Sequence, residues 1–331
     1  RAGVGHIVRS ATQKPTIALL FGRRRLLTFQ SVPFYQQTLT ACQQEAERCG
    51  CRPEFYMIRL GSLEHLSDRA RLIRDIRTGM VRGVLAVAWP CPPEEDAGLA
   101  RQDAALAETF EECQIPYTGT NPKTVPGGVG CDYYQVGLLG ASYFLDQGRR
   151  RIGLMVGDSG DHVHEDAIRG YQAALARAGL SVQPERICCV KDLSEGGGYH
   201  GFRAWWPGAG RPEAVVVNDD ILCRGAMQAA LDLGIAIPER FQFASLAIKG
   251  SPLFFSRPFV RLEIDAAARA RLLVQRLLEM IRQPGATPDP ICLAPRLVPP
   301  VPLDPAPVVA GGARMETRAQ GMRRKHWREP S

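Results

Sequence analysis

The sequence predicts an α/β protein of two similar lobes, each a parallel sheet flanked by helices. Three observations carry this expectation. Short apolar runs such as TIALLF and AVVV alternate with segments of helical period, the pattern of strands buried on both faces and crossed over by helices. The alternation runs once to about Thr120 and then restarts. A length of 331 residues suits two domains or one two-lobed domain.

The elements follow in order. Thr16–Gly22 reads as a buried strand. Pro33–Gly50 is an amphipathic helix with Tyr35, Leu39, Cys42 and Ala46 on one side and Gly50 at its end. Phe55–Leu60, Arg82–Ala88 and Ile115–Thr120 are strands, separated by helices over Leu66–Met80 and Glu94–Cys113. The second set opens with a helix over Tyr134–Gln147 and a strand over Arg151–Val156. A helix over Glu165–Ala178, a strand over Arg186–Val190 and a helix over Tyr199–Trp206 come next. Ala214–Asn218, Gln242–Leu246 and Val260–Ile264 are strands, with a helix over Ile221–Leu233 between the first two. Ala266–Ile281 is a long helix stopped by Gln283-Pro284, and Ile291–Val298 is a last extended segment. The late helix and strand imply several crossings between two Rossmann-like lobes. The expected division is 15–147 with 265–284 in the N-terminal lobe and 148–264 with 285–303 in the C-terminal lobe.

Composition excludes several classes. No stretch approaches the ~20 unbroken apolar residues of a membrane span. The sequence begins at Arg1, and no charged-then-apolar leader follows. Ten cysteines lie scattered without a paired C-x-x-C spacing, the nearest being Cys49-Gly-Cys51. A chain with a full core needs no disulfides, so free thiols in a reducing cytoplasm are expected. The net charge is +7, of which +3 comes from residues 302–331, with six Lys or Arg against three acids. The remaining +4 is too little to mark a nucleic-acid surface. After Val301 the chain turns Pro-, Gly- and Arg-rich, and 304–331 reads as a disordered basic tail.

Three stretches carry a resemblance. Val129-Gly-Cys-Asp132 leads into a helix, Gly148 and the strand entry Arg149-Arg-Arg-Ile152. Asp166–Gly179 (DAIRGYQAALARAG) has an R-G-Y helix, and Ala214–Pro238 reads AVVVNDDILCRGAMQAALDLGIAIP. In this order and spacing they resemble the LacI/GalR transcription regulators over about Thr16 to Leu303. The resemblance implies a type I periplasmic-binding-protein-like effector domain, no cofactor, and a homodimer through N-terminal-lobe helices, here Pro33–Gly50 and Leu66–Met80. Residues 2–8 (AGVGHIV) are similar to the wing that ends a GntR-type winged helix. Residues 1–14 are accordingly expected to be a leader or the remnant of an upstream DNA-binding head. Operator DNA would be a partner only through that head.

Ligands of open α/β sheets sit beyond the carboxyl ends of the strands, and a sugar-like effector needs polar side chains for hydroxyls and an aromatic face for its ring. Carried over by position, the resemblance implies ligand contacts at Asp132, Glu165, Tyr199, Asn218 and Asp219. Phe34 and Trp89 follow the first and third strands, at ends that face the expected cleft, and are expected to line it. Asp132 reads equally well as a helix cap, and for Asp219 a turn and cap is the lesser alternative to ligand contact. Two departures weaken hexose recognition: Glu165 stands where many members carry an Arg, and Ser245-Leu-Ala247 lacks a carboxylate. Other motifs are weak. Gly157–Gly160 lacks the Lys of a phosphate loop, His162 and His164 lack further ligands, and Ser31 and Ser159 lack a nucleophile elbow. The expectation is therefore the small-molecule sensor of a repressor, not an enzyme. A transporter's solute-binding protein is the alternative.

Overall fold

The computed structural model describes residues 14–22, 32–58, 67–90, 97–158, 163–206, 210–251 and 255–300. The expected leader, basic tail, His162, Ser31 and Ser159 lie outside them. The described elements are β1 (Thr16–Phe21), α1 (Val32–Arg48), β2 (Arg52–Met57), α2 (Arg69–Arg77), β3 (Val81–Val87), α3 (Ala97–Glu112) and β4 (Tyr117–Gly119). There follow β5 (Val129–Cys131), α4 (Tyr133–Asp146), β6 (Ile152–Gly157), α5 (Val163–Arg177), β7 (Ile187–Val190), α6 (Glu195–Trp205), β8 (Ala214–Val217) and α7 (Asp220–Asp232). The chain closes with β9 (Gln242–Ile248), β10 (Val260–Ile264), α8 (Ala266–Arg282), β11 (Ile291–Leu293) and β12 (Arg296–Val298).

Four strands form a parallel sheet in the order β2-β1-β3-β4, and six form a second in the order β12-β10-β9-β8-β6-β7, with only β12 antiparallel. Central strands are apolar on both sides because both sides are covered. In the first sheet Leu19, Phe21, Leu85 and Val87 pack on α1 and α8, while Leu20, Val84 and Ala86 pack on α2 and α3. In the second, Ile152, Leu154 and Val216 pack on α4 and α5, while Met155, Val215 and Phe243 pack on α6 and α7.

The motif glycines have a steric reason. A Cβ on Gly170 of α5 would stand 1.9 Å from the Tyr134 carbonyl oxygen of α4. On Gly225 of α7 it would stand 1.9 Å from the Glu195 carbonyl oxygen of α6. Each helix pair crosses so closely that only glycine fits.

The packing differs from the expected division in two places. Ile291 and Leu293 of β11, expected with the C-terminal lobe, pack against the core of the first sheet. Val136, Ala141 and Phe144 of α4 lie in the core of the second sheet, so α4 belongs there and not with 15–147. The apolar side of a helix does not by itself reveal which sheet it covers. β5 was not anticipated, being three residues with a glycine at its centre. It pairs in parallel with β11 as a two-stranded ribbon, which also splits the expected segment Ile291–Val298 at Ala294-Pro295. β2 begins three residues before the expected strand. Its outer edge is closed: the Met57 N–H donates to Asp68 Oδ2 at 2.9 Å and the Phe55 carbonyl accepts from Arg71 at 2.5 Å. Side chains that satisfy an edge in this way oppose strand addition.

The chain crosses between the sheets three times, from β5 to α4, from β10 to α8 and from β11 to β12. Asp132 and Asp265 cap the two helices that begin at crossings, accepting from Gln135 N at 3.0 Å and Ala268 N at 2.9 Å.

Candidate functional site

The carboxyl ends of β6, β8 and β9 are tied together by polar groups that the motif Asn218-Asp219 supplies. Asn218 is only 4% exposed, and its Oδ1 accepts from the Gly157 N–H at 2.9 Å. Its own N–H donates to the Met155 carbonyl at 3.2 Å. The amide thus bridges adjacent strand ends and satisfies a donor that burial would otherwise strand. Asp219 caps α7, accepting from Ile221 N at 2.9 Å and Leu222 N at 3.0 Å, and its carbonyl accepts from Ser245 Oγ at 3.3 Å.

Asp220 follows, also buried, and sequence reasoning missed it. Burial first, and then the neighbouring Asp219 carboxylate, push its carboxyl up to about 8 against the opposing pull of backbone N–H groups and Arg224. At neutral pH it is mostly protonated, so the strand tip holds a carboxyl group that can donate. The only sequence signal was the doubled aspartate, whose first member already explained the cap.

From Gly157 the rim runs to the first turn of α5, where His164 Nδ1 lies 3.9 Å from Asp158 Oδ1. Glu165 is exposed there. Asp166 beside it binds Lys123 Nζ at 2.7 Å and also pairs with Arg169. Burial raises the Asp166 carboxyl, but these two cations outweigh it and hold the group below the usual carboxylate range. Asp132 comes to the same place, its N–H donating to the Leu293 carbonyl at 2.9 Å. Asp132, Lys123 and Asp166 all act electrostatically on the Cys292 thiol of β11, whose pKa burial chiefly raises. Asp132, Glu165, Asn218 and Asp219 therefore lie along the strand tips and the crossing ribbon of the second sheet.

Two expectations need correction. Trp89 is 2% exposed and packs on Phe110 and Tyr117, with ring centroids 5.8 and 6.1 Å away, beneath β3. It is a core side chain here. The strand end alone could not show that its indole folds back beside Gly22, where a Cβ would meet Trp89 Cβ at 2.8 Å. Tyr199 is bound to its own helix pair: its hydroxyl donates to Asp232 Oδ2 at 2.9 Å and accepts from Arg203 at 3.1 Å. Asp232 ends α7, whereas the strand tips lie at the helix's start, so the ring is directed away from them. Phe34 lies near the start of α1, and its side chain is outside the described residues.

An open groove of about 930 Å³ runs between the two sheets' ends, lined by Gln36, Thr40 and Gln44 of α1 and by Lys249, Asp265 and Arg271. None of the expected contact residues among the described residues lines it. Among the described residues, no group of three or more His, Cys, Asp or Glu is placed to hold a metal ion.

Comparison with known proteins shows what the chain is similar to. Residues 141–299 match the family described as periplasmic binding protein-like domain. The chain is 26% identical over 162 residues to the ribose operon repressor of Haemophilus influenzae, which covers 49% of this chain and 48% of that protein. It is 25% identical over 274 residues to the ribose operon repressor of Escherichia coli strain K12, covering 82% and 79%. The chain is thus similar to transcription repressors of this kind. The fold is similar to that of a solved complex of the transcriptional regulator CelR with cellobiose, at a TM-score of 0.69 and 19% identity over 87% of this chain and 84% of that one. The chain spans about half the length of the Haemophilus relative.

Proposed function

We propose that this chain is the effector-sensing part of a LacI/GalR-type transcription repressor. It binds a small sugar-like molecule between its two sheets, and the bound arrangement of the lobes is passed to a DNA-binding head. The observation that carries the reading is the meeting of two parallel sheets at their carboxyl ends, joined by three crossings. Only a ligand with different affinity for two lobe arrangements shifts their balance. The second sheet offers Asn218, Asp219 and Asp132 to such a ligand, with Glu165 at the rim. The similarity to ribose operon repressors and to a cellobiose-bound regulator supports a saccharide effector and favours regulation over solute transport or catalysis.

A homodimer through α1 and α2 is part of the proposal. Phe55 and Met57, 41% and 39% exposed on β2 beside α1, support a side-chain interface with a second copy. The closed β2 edge argues against continuous sheet pairing there.

A melting screen with ribose, cellobiose and nucleosides tests the reading. A ligand at a hundredfold excess over its Kd adds about 2.7 kcal/mol and raises the melting temperature by several degrees. A folded protein that no member of the set stabilises would refute a working saccharide site. Asp132→Asn separates cap from contact, since Asn caps as well as Asp. It leaves the unliganded melting temperature within 1 °C or so and weakens the stabilising ligand about tenfold. Unchanged binding would restrict Asp132 to capping.

A further inference from the structure

The pair Lys123–Asp166 joins the two lobes, with one residue on each. Lys123 stands on the loop after β4, and Val125, two residues on, lies in the core of the first sheet. Asp166 stands on the first turn of α5, and Ala167, its neighbour, lies in the core of the second sheet. The 2.7 Å contact therefore spans the lobes. Both ends are braced. A Cβ on Gly130 of β5 would meet Pro122 Cδ at 2.4 Å, so the lysine loop sits directly on the crossing ribbon. Arg169 grips Asp166 from within α5, fixing the carboxylate's orientation whether or not lysine is present.

We propose that the Lys123–Asp166 ion pair is a latch that holds the lobes at the angle seen here and resists their hinge motion about the β5–β11 ribbon. The aspartate side chain is 18% exposed and the lysine 50%, which places the pair above a fully solvated bridge in strength but within reach of salt. On its other side the space between the lobes is open, with Gln36, Thr40 and Gln44 of α1 facing Lys249 and Asp265 across the groove. Rotation about the ribbon changes the width of that groove and must lengthen or break the latch. Charges facing the pair are Arg169 on α5, and Asp132 and the Cys292 thiol at the crossing. The inference rests on the reading that lobe position is the output, but it is tested without ligand, so its failure leaves the saccharide site standing.

The test is amide hydrogen exchange on the full chain, followed in β5 and β11 by mass spectrometry. Lys123→Met and Asp166→Asn are each expected to speed exchange there about three- to fivefold, with unchanged exchange in β1 and β8. Lys123→Arg restores protection to within about twofold. Arg169→Met, which breaks only the contact within α5, leaves the ribbon unchanged. Raising NaCl from 0.02 to 0.5 M speeds the ribbon in the wild type but not in Lys123→Met. Equal exchange in wild type and Lys123→Met, or an effect of Arg169→Met as large as that of Lys123→Met, would overturn the latch.

Discussion

The two sheets are covered by the same number of helix layers but differ in how those layers are held. On the first sheet, α1 and α8 meet through larger side chains, and Gly83 of β3 faces only the flexible ends of Ile281 and Leu277. On the second, α4 with α5 and α6 with α7 cross backbone to backbone at Gly170 and Gly225. Buried polar groups differ in the same sense. The first lobe places Asp75 and Asp103 in its outer helices α2 and α3, where Asp75 accepts from Tyr56 and Asp103 lies 3.5 Å from Arg69. The second lobe concentrates Asn218 and Asp220 at the strand tips. The second lobe is thus a rigid wall that presents polarity to the site, whereas polarity in the first lobe holds its helices in place.

The largest expected effect tests the helix crossings. Gly225→Ala should cost about 3 kcal/mol or more in urea denaturation, since the methyl meets backbone that cannot yield. Gly83→Ala should cost under about 1 kcal/mol, since its neighbours are side-chain ends. Equal costs would erase the contrast. Next, Asn218→Ala leaves the Gly157 N–H buried without an acceptor and should lower stability by about 1–3 kcal/mol.

Asp220 gives the pH dependence. Its folded pKa lies above the unfolded value, so the folded state binds the extra proton between about pH 4 and 8. Stability is highest below that window and falls as pH rises through it, by roughly 1 kcal/mol or more. Asp220→Asn should flatten this slope in melting curves taken from pH 5 to 8. The smallest effect belongs to the first lobe. Tyr56→Phe removes one hydrogen bond to Asp75 and should cost about 1 kcal/mol, with no change in ligand affinity.

How far the sequence could be read follows the same contrast. Strands buried on both faces and helices of clear period were legible because periodicity reports burial directly. The stretch Ala214–Pro238 was legible at its strand and its cap, whereas the close packing of Gly225 against α6 was not. Which sheet α4 covers was not, because its apolar side is equally suited to either. β5 was too short to show a period. At the site, Asn218 and Asp219 were recognisable as strand-end polar groups. The inward turn of Trp89, the engagement of Tyr199 with Asp232 and the burial of Asp220 depend on contacts from distant parts of the chain, which no local pattern encodes.

The account depends on two lobes that change their relation when a small solute is held at the strand tips. Small-angle scattering of the protein with and without the saccharide that most raises its melting temperature tests this most directly. The account predicts a smaller radius of gyration with ligand, and a diminished change in Asn218→Ala at matched concentration. A bound ligand that leaves the scattering curve unaltered would contradict it.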